Sequence, residues 1–187
     1  MLIIVEGVDC AGKDWVASEL LKKLGKKLGK KTFLLKQGVR PTIGNYEEIG
    51  RLKESYHQMI DFAKLAESTN SIMIFDRYYH SELAYSMPMR EYESLDDEDY
   101  CYLENFLLSQ VPNTILVFVT AEDMILEKRL MQRGDDYVTL ENILEIKKRY
   151  ENIIIPQSNI PVITIENNDL SHIDPIIEDI RNRINEY

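Results

Sequence analysis

Five short apolar runs punctuate the chain: Leu2 to Val5, Thr32 to Leu35, Ile72 to Phe75, Ile115 to Val119 and Val162 to Ile165. None alternates polar with apolar residues and each is too short for a helix, so they predict strands covered on both faces, as in a parallel sheet. The longer segments between them follow a helical period. Val16, Leu20, Leu24 and Leu28 recur with lysines on the other face, and comparable spacing predicts helices over roughly 46–67, 97–110, 121–133, 139–154 and 171–184. Strands alternating with helices predict a doubly wound α/β domain with a five-stranded parallel sheet, which takes its ligands at the carboxyl ends of the strands. No linker, repeat or low-complexity tract interrupts the pattern, so residues 1–187 are expected to form one domain.

Charge narrows the class of partner. The formal charge is -10, yet residues 1–36 carry eight lysines against four acidic residues. A nucleic acid would be repelled by most of this surface, whereas a small phosphorylated ligand needs only a local basic pocket. Cys10 and Cys101 are the only cysteines, which gives neither a disulfide framework nor a zinc pattern. Glu6 interrupts the first apolar run and no later stretch approaches the ~18 apolar residues of a spanning helix, so no membrane partner and a cytoplasmic location are expected. The acidic residues from Glu91 to Glu104 read as a solvated loop leading into a helix start. His57, His80 and His172 lack metal-ligand spacing.

The chemistry concentrates at Gly7, Val8, Asp9, Cys10, Ala11, Gly12, Lys13, Asp14 and Trp15, between the first strand and the first helix. The spacing is that of the phosphate-binding loop G-x-x-x-x-G-K-[ST], whose backbone N–H groups close on phosphate oxygens while the lysine reaches the β- and γ-phosphates. Lys13 would neutralise the transferring phosphoryl group. Asp14 stands where a Ser or Thr hydroxyl normally meets Mg²⁺. A carboxylate there either ligates the metal, since Mg²⁺ takes oxygen ligands, or faces the phosphates and weakens the site.

A second constellation, Asp76-Arg77-Tyr78-Tyr79-His80-Ser81-Glu82-Leu83-Ala84-Tyr85, follows the third strand. D-R-Y-x-x-S-x-x-A-Y, combined with E-G-x-D-x-x-G-K at Glu6 to Lys13, resembles the thymidylate kinase family of nucleoside monophosphate kinases, over nearly the whole chain. The resemblance implies a P-loop kinase fold with a helical lid at about 129–142, Mg²⁺ with ATP as donor, a deoxynucleoside monophosphate as acceptor and a homodimer. It implies that Arg77 holds the acceptor phosphate and Asp76 sits near Mg²⁺, making Asp14 and Asp76 the metal candidates. By the same resemblance Asp9 contacts the sugar 3′-hydroxyl, and Tyr85 lies against the 2′ position and disfavours ribonucleotides. Ser81 and Glu82 join the acceptor set.

Phe62 stands at the position of a ring that stacks on the acceptor base, although aromatic residues at helical spacing are as often core. Where the family commonly directs an arginine at the thymine 4-oxygen, this chain has Ala66. Glu82 accepts hydrogen bonds and suits an exocyclic amino group better than a carbonyl. Lys36 and Arg40 are alternative contacts for the acceptor phosphate. Arg129 and Arg133, four apart on one helix face, resemble lid cations, or else form a solvated ion-pair face.

These features predict transfer of the ATP γ-phosphate to the 5′-phosphate of a deoxynucleotide, dTMP by family default. Lys13, Arg77, Arg129 and Arg133 would provide the charge and no strong general base is needed. Two alternatives stay open: a deoxynucleoside or hydroxymethylated-base kinase with Glu6 as general base, and a non-catalytic nucleotide-binding protein.

Overall fold

The structure is a computed structural model that describes residues 1–36, 46–90, 93–134, 138–169 and 173–185. The chain runs β1 (Leu2–Gly7), α1 (Lys13–Leu28), β2 (Thr32–Lys36), α2 (Tyr46–Ser68), β3 (Ile72–Asp76), α3 (Tyr79–Arg90) and α4 (Asp97–Gln110). It continues through β4 (Thr114–Thr120), α5 (Asp123–Arg133), α6 (Leu140–Arg149), a π-helical turn (Tyr150–Ile154), α7 (Ile155–Gln157), β5 (Val162–Glu166) and α8 (Asp174–Asn185). All pairings are parallel and the sheet order is β2-β3-β1-β4-β5. Each of the five apolar runs is a strand; β1, β3 and β4 are buried on both faces as expected, whereas the edge strands β2 and β5 are partly exposed, Phe33 among them.

Alternation along β1 divides the core between the two faces. Ile3 and Val5 join Val16, Leu20, Leu24, Ile146 and Ile177 on one side, while Leu2 and Ile4 join Tyr56, Ile60, Leu103 and Leu107 on the other. The register pairs Val5 of β1 with Asp76 of β3, which sets the two sequence motifs side by side at the carboxyl ends of central strands.

Three expectations change. The segment after β3 is a helix, α3, which the apolar pattern did not announce because Tyr79, His80, Ser81, Glu82 and Ser86 are all buried there. The helix expected over 139–154 is divided, with a π-helical turn beginning at Tyr150. The acidic segment is only partly solvated. Asp96 caps α4 by accepting from the Asp99 amide at 2.8 Å, whereas Glu104 is buried and accepts from Ser158 Oγ at 2.7 Å and Asn159 Nδ2 at 2.7 Å. Arg40, and residues 135–137 of the expected lid, lie outside the described residues.

Candidate active site

The loop from Val8 to Gly12 is shaped by what its carbonyls bind. Asn167 Nδ2, just past β5, donates to the Ala11 carbonyl at 2.7 Å, and Arg129 Nη1 of α5 donates to the Cys10 carbonyl at 3.1 Å. In a planar trans peptide the N–H opposes the C=O, so holding the Ala11 carbonyl outward turns the Gly12 amide into the loop. Gly12, at φ 86°, then starts α1 with no side-chain cap, leaving the first turn of a 16-residue helix without a side-chain acceptor. A helix start of this kind has amides free to receive an anion. Gly7, at φ 150°, packs so closely on Val119 that a Cβ would overlap the Val119 carbonyl oxygen.

Lys13 is buried, with Nζ 3.5 Å from Asp14 Oδ1 and 3.6 Å from Asp76 Oδ1. Lys36 Nζ, at the end of β2, approaches Asp76 Oδ2 at 3.1 Å and Asp14 Oδ1 at 3.7 Å. Two lysines and two carboxylates therefore share one corner beside the loop. Burial and the Arg77 charge lower the Lys13 pKa against the pull of Asp76 and Asp14. Burial works against the Asp14 carboxylate, but Lys13, the contact with Asp76 and Lys36 more than offset it, and its pKa is lowered. Asp14 and Asp76 are hard oxygen donors on adjacent elements, a donor set that fits Mg²⁺.

Arg77 lies just beyond β3 with φ 72°, a left-handed conformation that a non-glycine residue adopts at a cost. Its amide donates to the Val5 carbonyl at 3.1 Å, and its side chain crosses to the phosphate-binding loop. Nη2 donates to Asp9 Oδ1 at 2.7 Å and Tyr85 OH at 2.8 Å; Nη1 donates to Ser81 Oγ at 3.1 Å and the Gly7 carbonyl at 3.3 Å. Arg77 Cζ also lies 4.4 Å from the Tyr85 ring centroid. Arg77, Asp9, Ser81 and Tyr85 thus form one bonded cluster, near enough for the Arg77 charge to lower the Lys13 pKa.

Glu6 is fully buried beneath this cluster. Its Oε1 accepts from the Tyr78 amide at 2.6 Å, and its Oε2 accepts from Ser81 Oγ at 2.5 Å and Tyr150 OH at 2.8 Å. Burial raises its pKa, against the Arg77 charge and these three bonds. Both oxygens are committed to protein donors, so the carboxylate is not presented to a substrate hydroxyl. That arrangement gives no support to the alternative in which Glu6 is the general base.

The remaining candidates divide. Glu82 is buried in the first turn of α3. Arg129 also donates through Nη2 to the Asn167 and Asn168 carbonyls at 2.9 and 3.3 Å, so it braces the loop against the end of β5 rather than extending over it. Arg133 reaches the Cys10 thiol, whose pKa is raised mainly by burial and by Asp9. Phe62 does not enter the cluster. It is 51 % exposed, whereas Tyr56, Met59, Ile60 and Ala63 form the inward face of α2. It also lies six residues, about 9 Å of helix, beyond Tyr56, whose ring meets Tyr78 beside the site. Ala66 packs in the core.

Sequence reasoning missed the bracing role of Asn167 and the Tyr150 hydroxyl, which no local pattern joins to a loop more than a hundred residues away. Trp15 lines a cleft of about 280 Å³ with Ile165, Ile176, Asn167, Asn168 and Asp169, adjoining the first turn of α1. Among the described residues no helix is long and apolar enough to cross a membrane.

No known family profile matches the chain. The SPbeta prophage-derived uncharacterized protein YorR of Bacillus subtilis is 29% identical over 153 residues, spanning 82% of this chain and 81% of YorR. The crystal structure of YorR in complex with phosphorylated GDP superimposes with a TM-score of 0.68 at 23% identity, covering 99% of this chain and 96% of YorR. The deoxyadenosine kinase of M. mycoides with dCTP gives a TM-score of 0.54 at 20% identity, and its complex with dCMP and dCDP gives 0.53 at 19%; both cover 100% of each chain. The chain is therefore an α/β protein with the fold of P-loop nucleoside kinases.

Proposed function

We propose that the protein is an ATP-dependent kinase whose acceptor is a deoxynucleoside monophosphate. The observation that carries this reading is Arg77, bonded to Asp9 and Tyr85, with its charge acting on Lys13 at the uncapped start of α1. Phosphoryl transfer to an oxygen that is already anionic needs alignment and charge rather than a base. The loop amides and Lys13 hold the donor phosphates, and the Arg77 guanidinium fixes positive charge at the receiving group. Its two terminal nitrogens already bond Asp9, Tyr85, Ser81 and Gly7, so it acts as an anchored charge more than as an open fork. Asp14 and Asp76 would hold Mg²⁺, which would neutralise phosphate charge when bound. The donor base takes the cleft walled by Trp15 and Ile176.

The acceptor base is best assigned to the amino-bearing group. A buried carboxylate such as Glu82 accepts from an exocyclic amine, and Ala66 in the core supplies no donor for a thymine carbonyl. The deoxyadenosine kinase to which the fold is similar binds dCMP, dCTP and dATP, in keeping with this choice. A nucleoside acceptor is the second reading, favoured by the Asp9–Arg77 pair, which sets a part-exposed carboxylate beside the loop. ADP formation measured against dTMP, dCMP, dAMP, dGMP and the corresponding nucleosides tests both. Fastest turnover is expected with dCMP or dAMP. Turnover of nucleosides alone would favour the second reading, and ATP binding without turnover of any acceptor would end both.

A further inference from the structure

Helix α6 is fastened to α3 at two levels and, one residue beyond its end, to the buried Glu6 of β1. Near its start, Asn142 Nδ2 of α6 donates to the Pro88 carbonyl of α3 at 2.8 Å. Near its end, Arg149 Nε and Nη2 donate to the Leu83 carbonyl at 3.1 and 2.9 Å. One residue on, where the helix loosens into a π-helical turn, the Tyr150 hydroxyl enters the buried centre of the site. Such turns interrupt helices mostly where function requires a side chain to be re-aimed. Here it delivers a phenol to Glu6, with the ring held 5.3 Å from Phe118 and 6.5 Å from Tyr85.

The bonds form a directed chain. Tyr150 OH donates to Glu6 Oε2; Ser81 Oγ donates to the same oxygen and accepts from Arg77 Nη1. Glu6 Oε1 meanwhile takes the Tyr78 amide, the N–H directly after the left-handed Arg77. One carboxylate therefore fixes Arg77 twice, by its backbone turn and by its side chain. Glu6, Tyr78, Ser81 and Tyr150 are buried, so water does not readily replace a partner lost among them.

We infer that Tyr150 and Glu6 are positioning residues for Arg77, through which helix α6 and its π-helical turn set the geometry of the acceptor site. This rests on the kinase reading above and adds residues outside either sequence motif's contacts with nucleotide. Tyr150 touches no substrate; it acts through Glu6 and Ser81.

The test is steady-state kinetics of Tyr150→Phe, which keeps the ring and deletes only the hydroxyl, with ATP and the monophosphate that the parent protein turns over fastest. Tyr79→Phe is the control, because its hydroxyl is buried with no partner among the described residues, so its removal breaks no bond. Tyr150→Phe is expected to raise the acceptor KM about tenfold, the scale of one lost hydrogen bond in a charged network, with the ATP KM within about twofold of the parent. Tyr79→Phe is expected to leave both constants at parent values. An unchanged acceptor KM in Tyr150→Phe overturns the inference, and so does an equal rise in both constants, which is what general loosening would produce. Where Tyr150→Phe does not fold, Glu6→Gln, which keeps the side-chain shape and removes the charge, is read by the same criterion. Absence of turnover in the parent protein ends the kinase reading and this inference together, whereas an active parent with an indifferent Tyr150→Phe ends this inference alone.

Discussion

His80 carries a buried imidazole whose two ring nitrogens have no hydrogen-bond partner among the described residues, stacked on Tyr79 at 4.1 Å and 3.8 Å from Glu6 Oε1. Burial pushes its pKa down from the ordinary 6.5 to about 3. Between those values the unfolded chain binds a proton that the native state refuses, so this group's contribution is complete above pH 6.5 and is lost as pH falls towards 3. The raised pKa of Glu6 acts with the opposite sign, which makes the parent-minus-variant difference the quantity to measure. Denaturant unfolding across about pH 4 to 6 should show the parent losing ~1.4 kcal/mol more per pH unit than His80→Phe. Parallel pH profiles would contradict the buried neutral imidazole. Asp14 offers a second test at this scale. Its carboxylate is 73% exposed and adds negative charge where donor phosphates are expected. Asp14→Thr should tighten metal-free ATP binding by about fivefold, the effect of removing one charge ~4 Å away at near-aqueous screening, and should shift the Mg²⁺ against Mn²⁺ preference of turnover. Calorimetric titration with and without metal checks both.

At the scale of elements, the loop is held from outside by parts of the chain that the motif does not include. Arg129→Ala removes three bonds to backbone carbonyls, at Cys10, Asn167 and Asn168, and frees the β1–α1 loop from the end of β5. The ATP dissociation constant should rise about tenfold while the acceptor KM stays near parent, as expected when lost bracing costs preorganisation rather than a substrate contact. Equal effects on both substrates would return Arg129 to a lid role. These braces explain which parts of the molecule the sequence reveals. Strands buried on both faces write themselves as continuous apolar runs, and the Gly7 to Lys13 spacing is local, so both are legible. Helix α3 is not, because its buried positions include Tyr79, His80, Ser81, Glu82 and Ser86, which give no apolar period to read. Phe62 shows the reverse. Its helical spacing reads as core as readily as the stacking ring the family resemblance implies, but the inward arc of α2 is taken by Tyr56, Met59, Ile60 and Ala63, which leaves Phe62 facing solvent and not in the core.

For the molecule as a whole, the site is a junction of distant segments. β1 and the loop meet Arg77 from β3, Arg129 from α5, Tyr150 after α6 and Asn167 after β5, so the middle and one edge of the sheet are tied together at one point. A ligand gripping that point can bind only when all of these segments are in place, which makes its binding energy available to the entire fold rather than to one loop. At a hundredfold excess over its dissociation constant, a donor nucleotide that binds only the native state adds about 2.7 kcal/mol of stability. For a chain of this length that corresponds to roughly 5–11 °C in Tm. Scanning calorimetry with ATP should therefore show one transition moved upward by that amount, and Lys13→Met, which removes the cation at the loop, should abolish most of the shift. The single tryptophan, Trp15, offers a second signal at the donor cleft, since its fluorescence should change on titration with ATP and not with the acceptor. A transition that splits in two, with only the lower half moving, would show that the edge strand β5 unfolds independently of the loop it braces.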